Sequence, residues 1–314
     1  MTRLRWARVS NDFGCDWRSR SIVDLRGEGA SVVTVTEITG ADVDRVAAFL
    51  KRQPELSPRV TLEQWARSVV PPWKMEAPNH GFMLLDGDEV VGVYVALYAD
   101  RAIGASTHRL CSLCAWVVEP SHRLHSLKLM KALLDQDGLT FTDFSPVTSV
   151  QRVNARFGFE YLDTTMSMLP NLPWASWKGR AHSDVEEIRR LLSGDQLQIF
   201  EDHLETAAAR HVVLSRGSEH CYVMYRHQTF RKIPCAAILH VSDPTVFRRT
   251  HRLFGRHVLF NDGRWATLVE HRLVDGRMPL SLVHEGEPRK MYKSDTLTAN
   301  EIDYLYSELA VLEW

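Results

Sequence analysis

Three features of the sequence could do chemistry. The first is a junction, Val118-Glu119-Pro120-Ser121-His122-Arg123-Leu124-His125-Ser126-Leu127-Lys128, where an apolar run gives way to a helical pattern. Glu119 closes the run and could take a proton there, directly or through water; its plain alternative is a solvated carboxylate. His122 and His125 flank the turn, where they could meet phosphates or simply face solvent. The second is Asp143, a charge inside the short apolar run LTFTDFS. Burial calls for a partner, and Arg109 and Arg123 are candidates for a salt bridge. The third is Cys111-x-x-Cys114, which lacks a second pair to complete a zinc site. Residues three apart on a strand face opposite ways, and no histidine neighbours Cys114, so both read as buried thiols.

The elements that must position these residues follow from periodicity. The β-branched run SVVTVTEIT predicts a strand, and Asp42 to Lys51 predicts a helix with Val43, Val46, Ala47 and Leu50 on one face. A short helix over Leu62 to Val69 ends at Pro71 and Pro72. Two apolar runs around Asp86-Gly87-Asp88 predict a hairpin. CSLCAWVVEP is apolar throughout, which predicts a central strand covered on both faces. After Pro120 the spacing of Leu124, Leu127, Met130, Leu133 and Leu134 predicts one helix, closed by Gly138. LTFTDFS then reads as a strand, PVTSVQRVNARFG as a helix and FEYLDTTMSML as a final strand.

A similar order begins again after LPWASW, with ATLVEHRLV as a late strand, giving a weak repeat of about 140 residues. In that strand Glu270 and Arg272 would share one face and His271 the other. The tail TANEIDYLYSELAVLEW starts a helix capped by Thr298 or Asn300. The chain is thus divided into an Arg-rich extended arm at 1–30, a domain at 31–172 and a second domain at 173–314.

Composition bounds the function. In 314 residues, 45% are apolar and 25% charged, ordinary for a folded protein. The net charge of −1 leaves no basic excess for general nucleic-acid binding, so the Arg/His-rich stretch near 248–257 reads as a solvated helix face. Five cysteines, irregularly placed, suit reduced thiols in a cytoplasmic protein. Neither a signal peptide nor a membrane-spanning run is expected, and a homodimer is left open.

Set on these elements, Val118, Pro120 and Arg123 resemble motif A of the GNAT (GCN5-related N-acetyltransferase) superfamily, whose pattern is Val-x-Pro-x-x-Arg/Gln-x-x-Gly-x-Gly/Ala. Arg156-Phe157-Gly158-Phe159 resembles the Gly-Phe step that leads into the family's last strands. The resemblance covers roughly residues 31–170. It implies an α/β (α+β) fold with a mixed, mostly antiparallel central sheet flanked by helices, here in two similar domains, the second degenerate. It also implies an acyl-CoA-dependent N- or O-acyltransferase using acetyl-CoA or another acyl-CoA. A small acceptor (amine, amino acid or sugar) would attack the thioester directly.

By the same resemblance Trp116, Val117 and Val118 would lend the strand's end to the pantetheine arm. Arg123, Leu124, His125, Ser126, Leu127 and Lys128 would form the pyrophosphate cradle at a helix N-terminus. Asp143 would stand near the thiol end, with Glu119 as the other candidate base. The sequence departs from the family where Ser126 and Lys128 replace glycines. Asn154 stands where many members carry a tyrosine that protonates the leaving thiolate, and an amide cannot do so. The alternative reading is a catalytically silent tandem protein that binds CoA or a protein partner.

Overall fold

The Asp-Gly turn and the apolar runs beside it become a long hairpin in the computed structural model. It describes residues 32–54, 56, 60–75, 77–174, 179–286 and 290–313. The predicted arm at 1–30, with Cys15, lies outside the described residues. The first half runs β1 (Val33–Glu37), α1 (Val43–Lys51), α2 (Leu62–Val69), β2 (Gly81–Asp86), β3 (Glu89–Ile103), β4 (Ser106–Val118), α3 (Ser126–Leu134), β5 (Leu139–Asp143), α4 (Thr148–Arg156), β6 (Glu160–Tyr161) and β7 (Met166–Pro170). The second runs β8 (Arg180–His182), α5 (Val185–Leu191), α6 (Gly194–His203), β9 (Arg210–Arg216), β10 (Glu219–Phe230), β11 (Ile233–Val241), α7 (Pro244–Asp262), β12 (Ala266–Glu270), β13 (Leu282–His284), β14 (Met291–Lys293) and α8 (Glu308–Val311).

The strands form two seven-stranded sheets, ordered β1-β2-β3-β4-β5-β14-β6 and β8-β9-β10-β11-β12-β7-β13. The two orders match position for position. In each, one central pair is parallel, β4 with β5 and β11 with β12; the pairings on either side of it are antiparallel. This is the expected mixed, mostly antiparallel architecture in two similar domains. Each hairpin strand also carries a register shift ahead of the parallel pair, at Tyr94/Ala96 and at Met224/Tyr225.

The sheets trade strands across the expected division at 172/173. β7, from the first half, sits beside β12; β14, from the second, sits between β5 and β6. The predicted single strand FEYLDTTMSML is therefore two strands in different sheets. A continuous core follows: Leu97, Phe144, Leu162 and Leu169 pack in one apolar cluster with Val212, Tyr222, Phe247 and Tyr304.

Three other expectations are corrected. The helix after Pro120 begins as a 3-10 turn over Pro120–His125, and the α-helix starts only at Ser126. The tighter winding rotates the early residues off the core face, so Leu124 is 95% exposed while Leu129, Met130 and Leu133 are buried. ATLVEHRLV ends as a strand at Glu270, and His271–Leu273 is a 3-10 turn. The Glu270–Arg272 pair still forms, at 2.9 Å, and His271 Nε2 bonds Ser167 Oγ at 3.0 Å. The tail makes only a short 3-10 turn capped by Thr298 and then the single turn α8. Among the described residues no helix is long and apolar enough to cross a membrane.

Candidate functional site

The parallel pair of the first sheet forks. β4 and β5 are in register from Arg109/Leu139 to Ser112/Thr142. Past Ser112, β4 continues to Val118 beside β3 alone. Meanwhile β5 ends at Asp143, which β14 holds from the other side opposite Met291. The fork opens a groove of about 290 Å³ lined by Trp65, Tyr94, Cys114, Trp116, Asp143 and Ser145, among others. Cys114 and Trp116 are therefore half-buried, where the apolar run predicted both faces covered.

Orphaned polar atoms gather here. Trp65 Nε1, Tyr94 OH and Trp116 Nε1 are buried without a hydrogen-bond partner, and each residue lines the groove. Buried polar groups in a folded chain are nearly always paired, so these atoms fit a groove that takes a polar guest. Trp116 stacks on Tyr94 with ring centroids 4.7 Å apart, which fixes both rings. Burial, reinforced by Asp143, holds the Tyr94 phenol well above its usual range, so it stays a neutral donor.

At the root of the fork lie two carboxyl groups. Asp143 is 4% exposed and accepts a hydrogen bond from Asn154 Nδ2 at 2.8 Å. Burial first, and then the neighbouring Glu308, push Asp143 up to about 8, against the Asn154 bond that lowers it. Glu308 is fully buried. It accepts from Ser112 Oγ at 3.0 Å, Ser145 Oγ at 2.9 Å and the Phe144 N–H at 3.2 Å. Burial raises its carboxyl as well, with those bonds opposing the shift. Burial thus favours the protonated form of both carboxyl groups, and Asp143 lines the groove.

The structure thus joins two of the predicted catalytic residues, Asp143 and Asn154. Glu119 stands apart, about 20 Å further along the strand direction. There its neighbour is His122, at 3.9 Å, which also reaches Asp86 at 3.1 Å and Ser121 Oγ at 2.9 Å. Of the two arginines offered as partners for Asp143, Arg109 lies across the ladder from Asp100 and pairs with it at 3.3 Å. Cys111 and Cys114 are free thiols, and burial raises both, which disfavours the nucleophilic thiolate.

Of the residues expected at the cofactor, Trp116 and Val117 line the groove and Val118 is buried. Arg123, Leu124, Leu127 and Lys128 are exposed around the start of α3, with His125 and Ser126 half-buried. Ser126 has ordinary helical backbone (φ −56°, ψ −39°), so no glycine is required there by conformation. No side chain caps either the 3-10 turn or α3.

The corresponding turn in the second sheet differs. Asp243 caps α7 by accepting from the Val246 N–H at 2.8 Å, and Phe247 is fully buried beneath it. A carboxylate already accepts from a backbone N–H at that helix start, where it would compete with and repel a phosphate.

Glu308, Tyr94 and Ser145 were missed by sequence reasoning. A carboxylate beside the apolar run LAVL in the tail was the one signal available for Glu308.

No family model matches the chain, and a search of curated proteins finds no match. Solved structures do resemble it. A GCN5-related N-acetyltransferase from Anabaena variabilis aligns over 83% of this chain and 72% of its own, at 13% identity and TM-score 0.53. One from Kribbella flavida aligns over 83% and 70%, at 16% identity and TM-score 0.53. A conserved protein from Enterococcus faecalis covers 83% and 72%, at 11% identity and TM-score 0.54. At such identities the likeness speaks for the fold alone: this chain has the GCN5-related N-acetyltransferase fold, laid down twice, with a strand exchanged between the copies.

Proposed function

We propose that the chain is an acyl-CoA-dependent acyltransferase, with its reaction centre at the fork of β4 and β5. The observation that carries this is the groove of about 290 Å³ ending on Asp143, a carboxyl group held near 8. An acyl-CoA, when bound, supplies a thioester carbonyl. The unpaired edge of β4 and the orphaned groups of Tyr94 and Trp116 suit the amides of its pantetheine arm. Arg123 and Lys128 supply positive charge where its phosphates would leave the groove, although Lys128 limits close approach to the backbone.

This chain's own groups account for the proton transfers. An acceptor amine or hydroxyl gives up its proton to the Asp143 carboxylate as it attacks; a base titrating near 8 is well matched to that task. Asn154 fixes the direction of the carboxyl group. Backbone N–H groups of β4 that β5 does not engage can hold the negative charge that develops on the carbonyl oxygen. The proton then passes from the Asp143/Glu308 pair to the departing sulfur, which replaces the acid that Asn154 cannot be. Tyr94 assists as a hydrogen-bond donor, since burial keeps its proton in place.

The test is a calorimetric titration of the purified protein with acetyl-CoA and with free CoA. Saturable binding of both, with a melting temperature that rises with ligand, is expected, followed by turnover with an acceptor. Absence of binding at millimolar ligand would overturn the reading. Binding without turnover across an acceptor panel would favour the silent tandem protein.

A further inference from the structure

The second sheet forks as the first does, and its fork is lined by different chemistry. β11 and β12 pair from Cys235/Ala266 to Ala237/Leu268, after which β11 runs on to Val241. The opening holds a cavity of about 460 Å³. Arg226 on β10 lies directly opposite Ala237, at the root of the fork, and lines that cavity. The equivalent place in the first sheet has Leu97 opposite Ser112. A guanidinium has taken the position of an apolar side chain.

Arg226 is 7% exposed, and no described carboxylate lies within ion-pair distance of it. Its Nη1 donates to the Leu309 carbonyl at 3.2 Å, while its Nε has no partner. The acidic residues that act on it are Glu308 and Glu313. Glu308 is taken up by Ser112, Ser145 and the Phe144 N–H, and Glu313 pairs with Arg210 at 3.3 Å. A buried cation without its own counter-ion is costly, unless a ligand supplies one. The one described carboxylate beside the cavity that could answer it, Glu270, is already shared by two other cations. Lys290 Nζ meets Glu270 Oε1 at 2.9 Å, and Arg272, beside the cavity, meets Glu270 Oε2 at 2.9 Å. The excess is therefore positive and suits an anion, and the planar guanidinium of Arg226 suits a carboxylate in particular.

The cavity also reaches the reaction centre. Ser145, which holds Glu308, lines both this cavity and the groove of the first fork. A guest lying along it would have one end at Arg226 and the other beside the Asp143/Glu308 pair. The second fork does not duplicate the first, because the Asp243 cap would compete with and repel a phosphate at its helix start.

We propose that the fork of the second sheet is the acceptor pocket and takes an amino carboxylate, with the carboxylate on Arg226 and the amine towards Ser145. The acceptor role rests on the acyltransfer reading; recognition of the carboxylate does not. The test is thermal shift and calorimetry without CoA, using each L-amino acid at millimolar concentration beside its primary amide and its decarboxylated amine. At least one amino acid should bind saturably while its amide and amine do not. Arg226→Gln should weaken that binding about tenfold or more and leave acetyl-CoA affinity unchanged. Arg226→Lys, which keeps the charge and loses the fork, should bind at an intermediate level and serves if the glutamine variant does not fold. Equal binding of acid and amide, no binding by any amino acid, or unchanged binding by Arg226→Gln would overturn the proposal. Amino-acid binding to a protein that ignores acetyl-CoA would remove the acceptor role and leave the carboxylate site standing.

Discussion

Asp143 makes a sharp demand at the scale of single residues, because a carboxyl held near 8 ties stability and activity to the same proton. The folded state binds that proton more tightly than the unfolded chain does, where the group titrates near 3.8. Its contribution to stability is complete below the unfolded value and is lost as pH rises towards and through the folded one, at up to about 1.4 kcal/mol per pH unit. Asp143→Asn removes this dependence. The orphaned Asn154 Oδ1 offers the new amide an acceptor once the Asn154 amide turns over. Melting curves should therefore show the variant gaining on the parent chain between pH 5 and pH 8. Turnover should fall by roughly 10²- to 10⁴-fold. A melting difference that does not change with pH would mean that Asp143 is ionised throughout. The sequence already marked Asp143 and Asn154, one as a charge in an apolar run and the other by resemblance. It could not supply Glu308, which arrives from the far end of the chain. It also left Arg109 open as a partner for Asp143, because its place across the ladder from Asp100 depends on the exact register of a long hairpin.

Elements with a clear period were legible, and those that change period midway were not. α2 forms over Leu62–Val69 with a Thr61 capping box, and the β2–β3 hairpin turns at Gly87 with φ +60°, both as their residues predict. The stretch after Pro120 shows the limit. Leu124, Leu127, Met130, Leu133 and Leu134 fit one helical stripe on paper, yet the chain spends its first turn in 3-10 geometry. Three residues per turn instead of 3.6 move Leu124 out to solvent. The consequence is measurable by chemical denaturation. Leu133→Ala empties a fully buried position and should cost about 2–5 kcal/mol. Leu124→Ala, at a residue 95% exposed, should stay within about 0.5 kcal/mol. Comparable losses at the two positions would mean that a single α-helix runs from Pro120 and that the turn is wrongly placed. The 3-10 turn also leaves Arg123 exposed ahead of the helix that carries Lys128.

Across the whole molecule, the exchange of β7 and β14 decides what can fold alone. Two independent copies and two interlocked copies have the same order of elements, and strands of five and three residues carry too little pattern to name their partners. The repeat was therefore visible in the sequence and the interlocking was not. A fragment ending at Leu172 would lack β14, which leaves the outer edge of β5 bare and detaches β6, whose described pairing is to β14. It would lose Glu308 as well, and with it the acceptor that Ser112, Ser145 and the Phe144 N–H now share. Unpaired edges and orphaned buried donors each cost free energy, and stability margins in proteins are narrow. The full chain should melt in one cooperative transition followed by calorimetry, because one apolar cluster spans both sheets. The fragment 32–172 should show no cooperative transition alone and should recover one when co-expressed with 173–314. If the isolated fragment melted cooperatively near the temperature of the intact chain, the exchanged strands would be ornaments on two self-sufficient folds.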